Sequence, residues 1–198
     1  MGLDVPAFTA AQAAGTYPPK DPDIIGPLNL RPPLRSKPVV VAVQGGTRGI
    51  GHELVMASDV RVAANDCRFG HLEVTIGVFP AGGDSVRFTR EAGWGNAMRY
   101  MLTGDEWDAA EAHRLGLVQE VMPAGKQLDR AVELANKIAA NAPLGVRATL
   151  VSARQALSRE DAALQALAPE LQHLLQSEDA KAAQQALRDG RKPAFQGR

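Results

Sequence analysis

The chain has 198 residues, with 22 Lys plus Arg against 22 Asp plus Glu, one cysteine and 5% aromatic residues. That length suffices for one domain with its own core, and the balanced charge leaves no electrostatic footprint for nucleic acid or an acidic membrane surface. A lone cysteine, Cys67, excludes an internal disulfide framework and fits a reducing, cytoplasmic compartment; no apolar run approaches the roughly 20 residues of a membrane span.

Met1 to Phe8 is short and apolar, and residues 9–14 predict a scrap of helix. Pro18, Pro19, Pro22, Pro27, Pro32 and Pro33 crowd the next stretch. Such density rules out a continuous helix or central strand, so residues 15–33 read as a surface loop, either a plain linker or a cover for a binding site. Lys37 to Glu53, KPVVVAVQGGTRGIGHE, is the centre of the chain. Val39 to Val43 predict a buried strand, Gly45, Gly46, Gly49 and Gly51 a tight turn, and Leu54 to Ala57 the body of a helix.

Beyond it, Asp59 to Ala63 predicts a strand, and Cys67 to Thr75 carries a second short strand and the acidic residue Glu73. Gly77 to Gly83, GVFPAGG, reads as a turn, and Asp84 to Arg90 as a helix with Asp84 as its favourable N-terminal acid. Gly93 breaks that helix, Asn96 to Leu102 forms the next, and Thr103 to Asp105 turns. Ala109 to Leu115 predicts a helix ended by Gly116, then Val118 to Val121 a strand. Leu128, Ala131, Ala135 and Ile138 recur at helical spacing. Pro143 reads as an interruption before helix 145–157, and Leu164, Leu167, Leu171 and Leu174 form a stripe on a last helix, suited to core or subunit interface.

Backbone amides at the start of the helix after the Gly45–Gly51 turn carry partial positive charge, which suits an anion or an oxygen that becomes one during reaction. A dinucleotide pyrophosphate is one reading, since Gly45-x-x-x-Gly49-x-Gly51 is similar to the turn of short-chain dehydrogenases. Against it, strands and helices stop alternating after Val121, and Tyr17 and Tyr100 lack a lysine four residues on.

A second resemblance covers nearly the whole chain. Lys37-Pro38, the glycine turn with Glu53-Leu54, Asp59, Phe69-Gly70 with Glu73, and Gly77-x-x-Pro80-Ala81-Gly82-Gly83 stand in the order of the crotonase (enoyl-CoA hydratase/isomerase) superfamily. Leu102-Thr103-Gly104, Ala109 to Val118 and the ending Arg191-Lys192-Pro193-x-Phe195-x-Gly197 extend the match. Gly2-Leu3-Asp4 resembles the segment that carries the family's first oxyanion-hole amide. The resemblance implies an α/β fold: a crotonase-type β-spiral core over residues 1–122, truncated at its N-terminus, and a C-terminal helical oligomerisation region over 123–198.

It also implies roles. The N–H groups of Leu3 and Ile50 stand where the family stabilises the thioester oxygen, with Ile50 replacing a usual glycine. Glu53 and Glu73 match the two catalytic glutamates, Glu53 toward water and Glu73 toward the Cα proton. Gly2, Asp4, Gly49, Gly51, Pro80, Gly82 and Gly83 match substrate-binding positions. The implied ligand is an acyl-CoA thioester, with Arg31, Arg35 and Lys37 as candidates for its phosphates. Coenzyme A belongs to the substrate, and neither a separate cofactor nor a metal is expected. The implied assembly is a homo-trimer or hexamer. Two carboxylates favour an enoyl-CoA hydratase; an enoyl-CoA delta-isomerase, another acyl-CoA enzyme of the family, or an inactive truncated assembly protein are the alternatives. His52, His71 and Asp84 depart from common family patterns, and helix capping is the simplest role for Asp84.

Overall fold

The computed structural model describes residues 4–16, 23–141, 143–155, 168–169, 172, 175–191 and 193. Its first sheet is built on β1 (Val40–Val43), which lies parallel to β3 (Val60–Ala64); β3 lies parallel to β6 (Glu120–Met122). A parallel pair needs a crossover, and α2 (Ile50–Met56) lies in the one between β1 and β3. A second sheet sets β2 (Gly46–Arg48) parallel to β4 (Arg68–Gly70) and β4 antiparallel to β5 (Glu106–Asp108). The chain thus steps between the sheets, β1 to β2 and β3 to β4. That stepping is the spiral the sequence led us to expect, and it differs from a single doubly wound sheet.

Three local readings change. Gly46 to Arg48 belong to a strand rather than a bare turn, and β5 follows the Thr103–Asp105 turn unannounced. Both are three-residue strands, too short for an alternating pattern to register. The short strand expected within 67–75 is Arg68–Gly70, and Glu73 begins a 3-10 helix (Glu73–Ile76) that the sequence did not mark.

Helix α1 (Val5–Ala13) starts on Asp4, whose Oδ1 accepts the Ala7 N–H at 3.0 Å. Helices α3 (Asp84–Ala92) and α4 (Trp94–Thr103) pack against each other. Each buries residues at i, i+3 and i+4: Asp84, Arg87 and Phe88 on α3, then Ala97, Tyr100 and Met101 on α4. Phe69, Phe88, Trp107, Leu117 and Val118 fill the core between them and the strands. Helix α5 (Ala109–Arg114) is capped by Asp108, which accepts the Glu111 N–H at 2.8 Å.

Helices from the region after residue 122 join this core. Helix α6 (Gln127–Ala139) packs on β1 and β3. Its inward face runs through Gln127 and Ala131, and Leu128 is 61% exposed, so the expected stripe starting at Leu128 is rotated by one residue. Two polar anchors set the rotation: Gln127 donates to the Gln44 side chain at 2.5 Å, and Arg130 pairs with Glu120 at 2.6 Å. Helix α7 (Pro143–Gln155) begins with Pro143 rather than being interrupted by it, because a first-turn proline forfeits no intrahelical hydrogen bond.

Helix α8 (Glu178–Arg188) starts on Ser177, which accepts the Ala180 N–H at 3.0 Å. It buries Ala180, Ala183 and Ala186 and packs on the 3-10 helix of Glu73. The approach is close: Gly77 has φ 79°, and a Cβ there would stand 3.0 Å from the Ala180 backbone. The Leu164–Leu174 stripe, Phe195 and Gly197 lie outside the described residues.

Candidate functional site

Glu53 is positioned by a strand, a turn and one helical turn. Gly49 ends β2's excursion at φ 53° and ψ −128° and serves as the N-cap of α2. That backbone is closed to most side chains. Ile50 is the first helical residue, so glycine carries the unusual angles and the β-branched residue does not. The N–H of Ile50 falls among the first-turn donors that a helix cannot satisfy internally. One turn on, Glu53 is 4% exposed, on the same helix as buried Val55 and Met56.

The Glu53 carboxylate accepts the Gly82 N–H through Oε1. A Cβ on Gly82 would collide with that carboxylate, so glycine at 82 is a condition of Glu53's placement. Burial pushes Glu53 well above the usual carboxylate range; the charges of Asp84 and Glu73 push it further, against the bonds from the Gly82 and Asp84 backbones.

Glu73 arrives from β4 by way of His71 and Leu72. Its Oε1 lies 3.0 Å from where a Cβ of Gly49 would stand. The two glutamates therefore converge on the Gly49 corner, one held against the Gly82 turn and the other reaching in from the 3-10 helix. Gly82 and Gly83 are buried, as is Pro80. Arg87 fastens this turn to the proline-rich stretch, donating to the carbonyls of Gly82 at 3.3 Å and Leu28 at 3.0 Å. Residues 28–30 thus lie against the turn, which favours the covering role for that stretch over a plain linker.

Beneath the glutamates sits a cluster that motif matching left unassigned. His52, His71 and Asp84 are fully buried. Asp84 Oδ2 lies 2.6 Å from His52 Nδ1 and 3.3 Å from His71 Nε2, and His71 Nδ1 lies 3.6 Å from Glu73 Oε2. Burial lowers the His52 pKa despite the opposing charge of Asp84. Aromatic rings wall the cluster: His52 meets Phe69 and Trp107 edge-on, and His71 lies against Phe88. The capping role expected for Asp84 does not hold, since Gly83 is the N-cap of α3, no side chain caps that helix, and the Asp84 carboxylate turns inward to His52. The signal for this cluster was in the sequence as a histidine one and two residues before the two glutamates. Nothing local said that Asp84 would join them.

His52, His71 and Asp84 each offer a metal-ligand atom, all within 4.8 Å of one another. Two donors on one zinc ion, each about 2.0–2.1 Å from it, stand about 3 Å or more apart. The 2.6 Å His52–Asp84 contact is shorter than that and fits an N–H donated to a carboxylate. Hydrogen bonding describes the cluster better than a metal site.

Gly2 and Leu3 lie outside the described residues. Asp4 is exposed and committed to capping α1. Gly51 lies in the first turn of α2. Arg35 donates to the carbonyls of Pro27 and Ala57, a structural commitment that removes it from the phosphate candidates.

Residues 34–198 match the family model described as enoyl-CoA hydratase/isomerase. The chain belongs to this family. It is 34% identical over 203 residues to the enoyl-CoA hydratase EchA19 of Mycobacterium tuberculosis H37Rv, covering all of this chain and 75% of that relative. It is 37% identical over 167 residues to the 2,3-dehydroadipyl-CoA hydratase of Escherichia coli K12, covering 82% of this chain and 64% of the relative. Among solved family structures, a probable enoyl-CoA hydratase/isomerase from Mycobacterium abscessus superposes with a TM-score of 0.74 at 44% identity, over 99% of this chain and 76% of that one. A carnitinyl-CoA hydratase from Mycobacterium avium superposes at 0.78 and 35% identity, over 82% and 64%. The chain thus spans about two thirds to three quarters of these relatives, and the crotonase fold expected from its motifs is the fold of its family.

Proposed function

We propose that this chain carries the acid–base site of an enoyl-CoA hydratase, which adds water across the 2,3-double bond of an enoyl-CoA thioester. The observation that carries the reading is the convergence of buried Glu53 and half-buried Glu73 on the Gly49 corner beside the first-turn amides of α2. Relatives named as hydratases support it.

The chemistry follows from proton and charge accounting. Hydroxide character is delivered to Cβ and a proton to Cα, so one carboxyl must take a proton while another gives one. Over the cycle water adds whole, and the pair ends as it began, with one proton shared between two carboxyls. Crowding Glu53, Glu73 and Asp84 in a dry site provides for this, because three such neighbours cannot all ionise readily. With Glu53 directed at water and Glu73 at Cα, the shared proton starts turnover on Glu73. In the substrate-free chain burial and the charges of Asp84 and Glu73 raise the Glu53 pKa. Negative charge developing on the thioester oxygen is met by the Ile50 N–H, with Leu3 as the partner donor implied by the motif.

The assay is hydration of a 2-enoyl-CoA, followed by loss of the conjugated absorbance, beside a 3-enoyl-CoA control. Turnover of the first supports the reading. Movement of the 3-enoyl bond to position 2 without hydration replaces it with the isomerase alternative. Coenzyme A thioesters, not free acids, are the proposed ligands. A trimer or dimer of trimers is the proposed assembly, and sedimentation of a folded monomer at micromolar concentration would remove that part.

A further inference from the structure

We propose that Asp84, His71 and His52 form a buried relay in which Asp84 fixes the protons on both imidazoles and His71 holds and orients the Glu73 carboxyl as a positioning residue. The inference rests on the hydratase reading for its kinetic consequence, though not for its geometry.

An ionised carboxylate only accepts hydrogen bonds, and a neutral imidazole carries one N–H and one bare nitrogen. Asp84 Oδ2 faces His52 Nδ1 at 2.6 Å and His71 Nε2 at 3.3 Å. The hydrogen bond puts the His52 proton on Nδ1, and the nearby Asp84 charge draws the His71 proton to Nε2, which leaves His52 Nε2 and His71 Nδ1 bare. His52 Nε2 and both ring nitrogens of His71 are buried without a hydrogen-bond partner, so His71 Nε2 answers to the Asp84 charge at 3.3 Å rather than to a formed hydrogen bond.

The His71 Nδ1 atom faces Glu73 Oε2 at 3.6 Å, and that oxygen also lacks a partner. The separation is just beyond a hydrogen bond. The Glu73 side chain is 14% exposed while His71 is fully buried, so the glutamate is the member free to move. A small rotation of its carboxyl closes the contact and places a Glu73 proton between Oε2 and His71 Nδ1. The Glu73 carboxyl is then held in one orientation for delivery to Cα.

Titratable groups face this line from the surrounding elements. Helix α2 contributes His52 and Glu53, β3 contributes Arg61, the 3-10 segment contributes Glu73, and α3 contributes Asp84. Phe69, Phe88 and Trp107 occupy the remaining sides, where rings and not hydroxyls meet the imidazoles.

The test uses His71→Gln, His71→Phe and Asp84→Asn in the whole chain, each checked for a folded-state thermal transition. Hydration of a 2-enoyl-CoA is then measured across pH. The expected result is a fall in kcat of at least about tenfold for His71→Phe and Asp84→Asn with KM little changed, a displaced acid limb of the kcat profile, and partial rescue in His71→Gln. A purely structural role would lower kcat without moving the limb. Ring-nitrogen NMR of the substrate-free protein reads the relay without activity. It should report His52 protonated on Nδ1 and His71 on Nε2, with Glu73→Gln perturbing the His71 Nδ1 resonance.

An unmoved pH profile in folded variants overturns the proposal. So does a His71 ring protonated on Nδ1, or one stoichiometric zinc ion lost on His71→Gln. If the unmutated chain hydrates no enoyl-CoA while the ring spectra are as expected, the hydratase reading falls and the relay stands. If Asp84→Asn does not fold, the Glu73→Gln spectrum decides.

Discussion

Glu53 and Glu73 are the same residue type aimed at the same corner, yet the molecule secures them differently. Glu53 is held by the turn that starts its helix and by a partner 29 residues on. Gly49 caps its helix, and its carboxylate is met by the Gly82 N–H. Glu73 begins a 3-10 helix that makes no side-chain-capped start and has no buried residue of its own. Its support comes from α8, more than a hundred residues further on, through small side chains packed against Gly77. Glu53 is thus fixed between two glycine turns, and Glu73 by a contact from the far end of the chain. Damage far from the site should reach Glu73 before Glu53.

The largest expected effect is chemical. Glu53→Gln keeps size and hydrogen-bonding capacity but removes the proton exchange, and hydration should fall by about 100- to 10,000-fold with folding intact. Kinetics with a circular-dichroism control measure both. Near-full activity in Glu53→Gln beside an inactive Glu73→Gln would break the two-carboxylate reading.

Gly82→Ala comes next, because the new methyl group displaces the Glu53 carboxylate while leaving α8 untouched. A stability loss of about 1–3 kcal/mol is expected, as for other overpacked interiors, with kcat falling beyond what unfolding explains. Chemical denaturation alongside kcat checks this.

Gly77→Ala addresses the other glutamate. The residue has φ 79° and its Cβ would press on the Ala180 backbone at 3.0 Å. We expect a destabilisation of about 1–3 kcal/mol and loosening of α8, read by hydrogen exchange in α8 and the 3-10 helix. Protection in α2 should remain; equal loss there would erase the contrast between the two supports.

The Glu53 environment also predicts a pH dependence. A carboxyl whose pKa is raised on folding binds its proton more tightly in the folded state. Its contribution is therefore fully present below the unfolded pKa of about 4.3 and is lost as pH rises toward the folded value. Glu53→Gln removes that loss, so the variant should gain stability over the parent at neutral pH and the difference should shrink in acid. Thermal unfolding at several pH values tests the sign.

The smallest effect is a control outside both supports. Arg48 and Glu106 pair between β2 and β5 with about a third of each side chain exposed, and Arg48→Met should cost at most about 1 kcal/mol.

The sequence by itself determined the family, the central strand, the glycine turn and Glu53's place one helical turn beyond it. Those features are local: an apolar run, glycines where the backbone needs positive φ, and a fixed helical offset. It also marked Glu73, through Phe69-Gly70 and the glycines that follow, though not the 3-10 helix that this residue begins. Only the tertiary structure brought Asp84 under His52 and His71, because the contact joins residues 32 apart whose meeting depends on how α3 packs on α2. Only the tertiary structure rotated α6 away from Leu128, since polar anchors from β6 and the loop after β1 outweighed the apolar period. And only it set α8 against the 3-10 helix. Small residues such as Ala180 and Gly77 carry little hydrophobic signal, and what they specify is a distance of approach that exists only once both elements are in place.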